Sequence, residues 1–209
     1  MMQIYEKLLN HFGEQEWWPC KTGKRFEIIT GAILTQNTNW KNVEKALDNL
    51  EKKRLMNKKA ISKISLNSLA TTIKPSGYYK QKAKKLKAFV SFSGEITRDN
   101  LLSIWGIGPE TADSILLYAY NKPYFVIDAY TRRVFTRLGL LKGNENYEEI
   151  RNYFEKNIPR SISVYKEFHA LIVELAKNYC KNKPLCKKCP LADSCKFTNK
   201  NQGSVWLQL

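Results

Sequence analysis

Between Leu101 and Leu138 the chain reads LLSIWGIGPETADSILLYAYNKPYFVIDAYTRRVFTRL, a stretch that admits few folds. Two apolar helical patterns, Leu101 to Trp105 and Thr111 to Tyr120, are joined through Gly106-Ile107-Gly108-Pro109. Glycine tolerates backbone angles and close approaches that other residues resist, so a joint this short predicts a tight helical hairpin. Pro109 suits the first turn of the second helix, where its missing N–H costs nothing. Amides at such a joint lack helical partners and form a natural cradle for a phosphate. Beyond the hairpin, Asp128 in Val126-Ile127-Asp128 stands directly before another amphipathic pattern, where an aspartate commonly serves as a helix N-cap.

The remainder of the chain reads as further helices. Ile4, Leu8 and Phe12 share a face before Gly13. Phe26, Ile29 and Ile33 mark a second helix, which ends at the polar run Thr35-Gln36-Asn37-Thr38. Asn39 caps a third, with Trp40, Val43, Leu47 and Leu50 on its inner face. Lys52 to Lys59 reads as a basic connection, followed by a short helix near Ser68 to Ile73. From Tyr79 to Phe92, Leu86, Phe89 and Val90 point inward and Lys80, Lys82, Lys84, Lys85 and Lys87 mostly outward, as a DNA-facing stripe or a solvated face. Residues 146–158 and 161–179 carry two more stripes, the second through Ile162, Tyr165, Phe168, Ile172 and Leu175. With no internal repeat and no convincing strand, the fold class is all-α. Trp17 and Trp18 stand side by side outside any helix, where at least one lines a cleft or packs at a domain seam, or both plug the edge of the core.

Thirty-five Lys and Arg against nineteen Asp and Glu leave a net charge of +16. That surplus suits a polyanionic partner, nucleic acid ahead of a membrane surface. No apolar run approaches membrane-spanning length and the N-terminus lacks a signal-peptide pattern, so a cytoplasmic, nucleoid-associated protein is expected. Four of the five cysteines close the chain as Cys180-x5-Cys186-x2-Cys189-x5-Cys195. In a reducing compartment such density argues for metal over disulfides, and the spacing fits either a tetrahedral zinc or an iron–sulfur cubane. Cys20 is left over as a free thiol.

The hairpin with its Asp128 loop resembles the helix-hairpin-helix DNA glycosylase superfamily that includes endonuclease III. The likeness covers roughly residues 22–195. Trp17-Trp18-Pro19, the run from Gly31 to Thr38 and the run from Lys74 to Lys84 look like its 3-methyladenine DNA glycosylase III branch. The resemblance implies a two-lobed fold, with a helical barrel over residues 22–130 and a second domain from 1–21 plus 131–209 carrying a cluster loop at 180–195. It implies catalysis by Asp128, DNA-backbone contacts from Gly106, Ile107, Gly108, Glu110 and Thr111, and a base pocket of Trp17, Trp18, Pro19, Trp40 and Gln36. Glu110 stands where bifunctional relatives carry a Schiff-base lysine, and a carboxylate forms no imine, so no lyase activity is expected. Cys180, Cys186, Cys189 and Cys195 match the family's [4Fe–4S] loop, although its usual first gap is six residues and this one is five; zinc is the alternative. The best-known members of the branch lack these cysteines.

The function so implied is that of a monofunctional, monomeric DNA glycosylase of base excision repair. It would flip alkylated purines such as 3-methyladenine from double-stranded DNA and excise them. The alternatives are an endonuclease III-type glycosylase for oxidised pyrimidines and a non-catalytic DNA-binding module.

Overall fold

Seven helices open on a side chain that accepts a hydrogen bond from the first turn: Asn39, Asn57, Ser65, Thr97, Asp128, Asn146 and Ser161. Each satisfies an amide that has no partner inside its helix, so the sequence itself sets where these helices begin. The computed structural model describes residues 1–15 and 17–198, and among them it is all-helical, with no strand. The helices are α1 Met2–Phe12, α2 Arg25–Leu34, α3 Trp40–Lys52, α4 Lys58–Lys63, α5 Leu66–Thr72 and α6 Tyr79–Ser91. After them come α7 Arg98–Ser103, α8 Pro109–Ser114, α9 Ala129–Leu138, α10 Tyr147–Asn157 and α11 Ile162–Asn178. A π-helical stretch, Ile115–Ala119, continues α8, and short 3₁₀ turns occupy Lys74–Ser76, Cys186–Lys188 and Ala192–Ser194.

The chain forms two units, one from Met1–Trp17 with everything from Pro123 on, the other Trp18–Lys122. In the second unit α2 is the central helix. Its residues from Ile29 to Leu34 are all buried, and it packs against α3, α6, α8 and the π segment. In the first unit α1 and α9 pack against α11. Its core is aromatic: Phe125 stacks on Phe154 at 4.6 Å, and Phe135, Tyr165 and Phe168 meet that pair edge-on or tilted.

Packing explains why these limits differ from the expected 22–130. Phe125, Val126 and Ile127 are buried in the unit of α9–α11 and take Asp128 with them, whereas Trp18 packs among side chains of the other unit. The end of the expected second domain, 199–209, lies outside the described residues. Two local readings also change. The connection read across 52–59 already contains the start of α4, whose one buried residue, Ile61, leaves too faint a stripe to read. Of the α6 lysines only Lys80 and Lys84 are exposed. Lys82 is buried and donates to the carbonyls of Leu34 at 2.8 Å and Ser76 at 2.6 Å. Lys85 and Lys87 are half-buried, and Lys87 donates to the carbonyls of Ser62 and Ile64.

Candidate active site

Asp128 caps α9 through one oxygen. Oδ1 accepts the Thr131 amide at 2.7 Å and the Thr131 hydroxyl at 2.9 Å. Oδ2 lies 3.5 Å from Nε2 of His169, on α11. Burial is the largest influence on this carboxyl and pushes its pKa up, but His169 and the two Thr131 donors together outweigh it and hold the group below its ordinary value. The site is thus an ionised carboxylate at a helix start. His169 itself is buried, and the Trp17 ring meets it edge-on at 6.4 Å. Lys177 lies over the Trp17 ring, its Nζ 5.2 Å from the centroid.

Nothing in the local sequence pointed to His169. It stands forty-one residues from Asp128, and its one signal is a polar residue on the buried face of α11, four after Tyr165 and three before Ile172.

The hairpin forms as its glycines predict. Gly106 has φ +83°, and a Cβ there would sit 2.5 Å from Cγ of Lys85, so both the turn and the close approach require glycine. Arg98 on α7 clamps buried Asp113 on α8 with two bonds, Nε to Oδ1 at 2.7 Å and Nη2 to Oδ2 at 3.2 Å. Ile107 is buried, while Gly108 and Glu110 are exposed at the tip. Gln36 ties this hairpin to the end of α2: its amide donates to the Gly106 carbonyl at 3.2 Å and to the Thr111 hydroxyl at 2.9 Å, and its carbonyl accepts from Lys85. Burial lowers the pKa of Lys85. Beside this network lies a surface cavity of about 380 Å³, bordered by Tyr78 and Trp105, which are 70% and 56% exposed.

The base-pocket candidates divide between the units. Trp18 and Trp40 meet edge-to-face at 5.3 Å and 89°, with Tyr118 tilted against Trp18 at 4.8 Å. Gly31 makes room for them; a Cβ there would lie 3.2 Å from Trp40 and 3.5 Å from Trp18. Pro19 and Trp40 also border a cavity of about 230 Å³ with Glu27 and Glu44. Trp17 belongs to the unit of Asp128 and His169. Cys20 is a free thiol pushed up to about 11 by burial and by Glu27 beside it, so it is not a reactive nucleophile.

The four closing cysteines are gathered in one loop. The Cys189 thiol is raised first by burial and then by the charges of Cys180, Cys195 and Cys186, which places the other three within electrostatic reach of it. Arg137 donates to the Cys180 sulfur at 3.4 Å, and the Cys195 thiol donates to the Arg137 carbonyl at 3.4 Å. Among the described residues no three His, Cys, Asp or Glu side chains already form a single-ion cage. Four soft thiols with a guanidinium beside them are a donor set that fits a thiolate-ligated metal centre.

The model of the HhH-GPD superfamily base excision DNA repair proteins matches residues 30–160. The chain belongs to that superfamily. It is 46% identical to the putative DNA repair glycosylase MJ1434 of Methanocaldococcus jannaschii, over 92% of this chain and 94% of the relative. Endonuclease III of Sulfolobus acidocaldarius is 31% identical over 93% of this chain and 95% of its own. Among solved structures, the H. pylori 3-methyladenine DNA glycosylase MagIII bound to 1,N6-ethenoadenine superposes with a TM-score of 0.74 at 33% identity, covering 84% of this chain and 96% of that one. This protein is accordingly a DNA glycosylase of base excision repair, and its fold is that of the endonuclease III-like helix-hairpin-helix enzymes.

Proposed function

We propose that the protein is a monofunctional glycosylase that releases alkylated purines, 3-methyladenine among them, from double-stranded DNA. The observation that carries the reading is the ionised carboxylate of Asp128. Breaking a glycosidic bond places positive charge on the sugar, and a fixed anion stabilises that charge without having to reorganise. An N3-methylated adenine is already a cation and a good leaving group, so it needs no strong acid beside the base. Trp18 and Trp40, with Trp17, Pro19 and Gln36, supply aromatic and amide surface for the flipped base. Each indole favours a cationic base over a neutral one by about 0.5–2 kcal/mol. The hairpin residues Gly106, Ile107, Gly108, Glu110 and Thr111 hold a phosphate. Glu110 supplies no amine, which supports hydrolysis without a lyase step.

In this reading Cys180, Cys186, Cys189 and Cys195 hold a [4Fe–4S] cluster that staples the closing loop. Likeness to endonuclease III supports a second reading, excision of oxidised pyrimidines.

A side-by-side single-turnover assay separates the two, with a methylated duplex and a duplex carrying thymine glycol. Release of 3-methyladenine should be much the faster, and Asp128→Asn should remove it while leaving affinity for DNA intact. Faster release of the oxidised pyrimidine would put the second reading in its place.

A further inference from the structure

We infer that His169 is a positioning residue for Asp128, its imidazole standing in charge contact with Oδ2 and turning the carboxylate toward the reacting sugar. The inference rests on the reading of Asp128 given above. It begins from a comparison within the chain. The other helices with side-chain caps open on Asn or on a hydroxyl residue: Asn39, Asn57, Ser65, Thr97, Asn146 and Ser161. A neutral oxygen is enough to cap a helix. At α9 the cap is an anion, and its Oδ1 alone does the capping, through the Thr131 amide and hydroxyl. Oδ2 is surplus to that task, and it is the oxygen that His169 meets at 3.5 Å.

Burying an imidazole against a carboxylate is costly unless each partner uses the other. Here the His169 side chain is only 6% exposed and that of Asp128 16%, with Trp17 edge-on against the imidazole. The ring therefore has little freedom to turn. Thr131 holds one oxygen by two hydrogen bonds and the imidazole stands 3.5 Å from the other, so one orientation of the carboxylate is favoured. The pair also lowers the pKa of the carboxyl, so that the anion persists into mildly acidic solution.

Several charged groups on α9 and α11 are engaged elsewhere. On α9, Arg132 donates to the Glu145 carbonyl and Arg133 to the carbonyls of Cys180 and Ala176. On α11, Glu167 accepts the Gln15 amide and Lys177 pairs with Glu174 beside Trp17.

The test compares wild type, Asp128→Asn, His169→Phe, His169→Gln and the double variant Asp128→Asn/His169→Phe. It follows single-turnover release of 3-methyladenine against pH, with affinity for a duplex carrying an uncleavable abasic analogue measured separately. Loss of the imidazole beside a buried carboxylate should slow release by about tenfold or more in His169→Phe, with affinity unchanged. The acid limb should move to higher pH, because removing His169 removes what lowers the carboxyl. His169→Gln keeps a donor and should recover most of the rate. Adding His169→Phe to Asp128→Asn should change nothing further, since His169 acts through the carboxylate.

A folded His169→Phe enzyme with the wild-type rate and profile would overturn the inference, as would a further loss in the double variant. Should His169→Phe fail to fold, His169→Gln carries the test through its acid limb, which must rise because a neutral amide brings no charge; an unmoved limb would refute the role. If Asp128→Asn releases base normally, the reading of Asp128 itself falls and the role of His169 with it, a result distinct from failure at His169 alone.

Discussion

Two carbonyl oxygens, those of Leu34 and Ser76, take hydrogen bonds from the buried ammonium of Lys82. They belong to the end of α2 and to the turn before α6, so one side chain pins both segments to the hairpin's unit. Burial first, then the nearby charge of Lys85, pushes Lys82 down to about 8, while the two carbonyls favour its charged form. Lys82→Met keeps most of the volume and removes both donors. Two buried carbonyls would then lack a partner, at about 1–3 kcal/mol each, so chemical denaturation should show a loss of roughly 2–5 kcal/mol. Lys84→Met, on the exposed side of α6, should stay within about 0.5 kcal/mol. The pH dependence has a definite sign. Because the folded value of Lys82 lies below its ordinary 10.5, the unfolded chain binds more protons between about 8 and 10.5, and wild-type stability gains a rising contribution across that window. Lys82→Met should lack it. A variant as stable as wild type, with the same pH profile, would mean that the two carbonyls find other donors.

Whole helices were the legible part of this chain, because stripes and caps are local signals. The stripes of α1, α3, α6, α10 and α11 and the caps Asn39 and Asp128 read directly, and so did the glycine joint of the hairpin. What did not read was set by neighbours distant in sequence. Lys82 looks like one more surface lysine until the carbonyl of Leu34 is placed beside it, forty-eight residues away. Arg98 and Asp113 look like ordinary surface charges until the hairpin closes them together, whereas adjacent Trp17 and Trp18, unable to share one core face, already offered a seam between units as one reading. The π-helical turn at Ile115–Ala119 leaves no mark in an apolar stripe that an α-helix would equally satisfy. The cysteine loop lies between these cases, since its spacing announces a metal without naming it. If the loop holds a cubane, the purified protein should be brown, with a sulfur-to-iron charge-transfer band and about four irons per chain. Cys189→Ala should lose the metal and loosen the loop, seen as faster proteolysis after Tyr179. One zinc and no iron would replace the cluster with a tetrahedral site.

Taken over the whole molecule, Lys and Arg outnumber Asp and Glu by 35 to 19, so ion pairs within the fold leave a surplus of +16 however they are formed. Under the proposed function this surplus serves the phosphate backbone, where each neutralised phosphate releases counterions and makes affinity fall with salt. Contact with about five phosphates would give a slope of log affinity against log salt of roughly −4 to −5 on undamaged duplex. Not every lysine should count equally. Lys82 is buried, Lys87 is tied to carbonyls and Lys85 to Gln36, so their loss should act through the fold and leave the slope little changed. Lys80 and Lys84 are the exposed pair on α6, in the segment that follows the Lys74–Ser76 turn. The variant Lys80→Gln/Lys84→Gln should therefore keep the melting temperature and reduce the slope by about one to two, with affinity weakened equally on damaged and undamaged DNA. A mere solvated face behaves differently: its charges lie too far from the phosphates to release counterions, and the slope stays where it was. An unchanged slope in the folded double variant would therefore take α6 off the DNA, whatever the hairpin does.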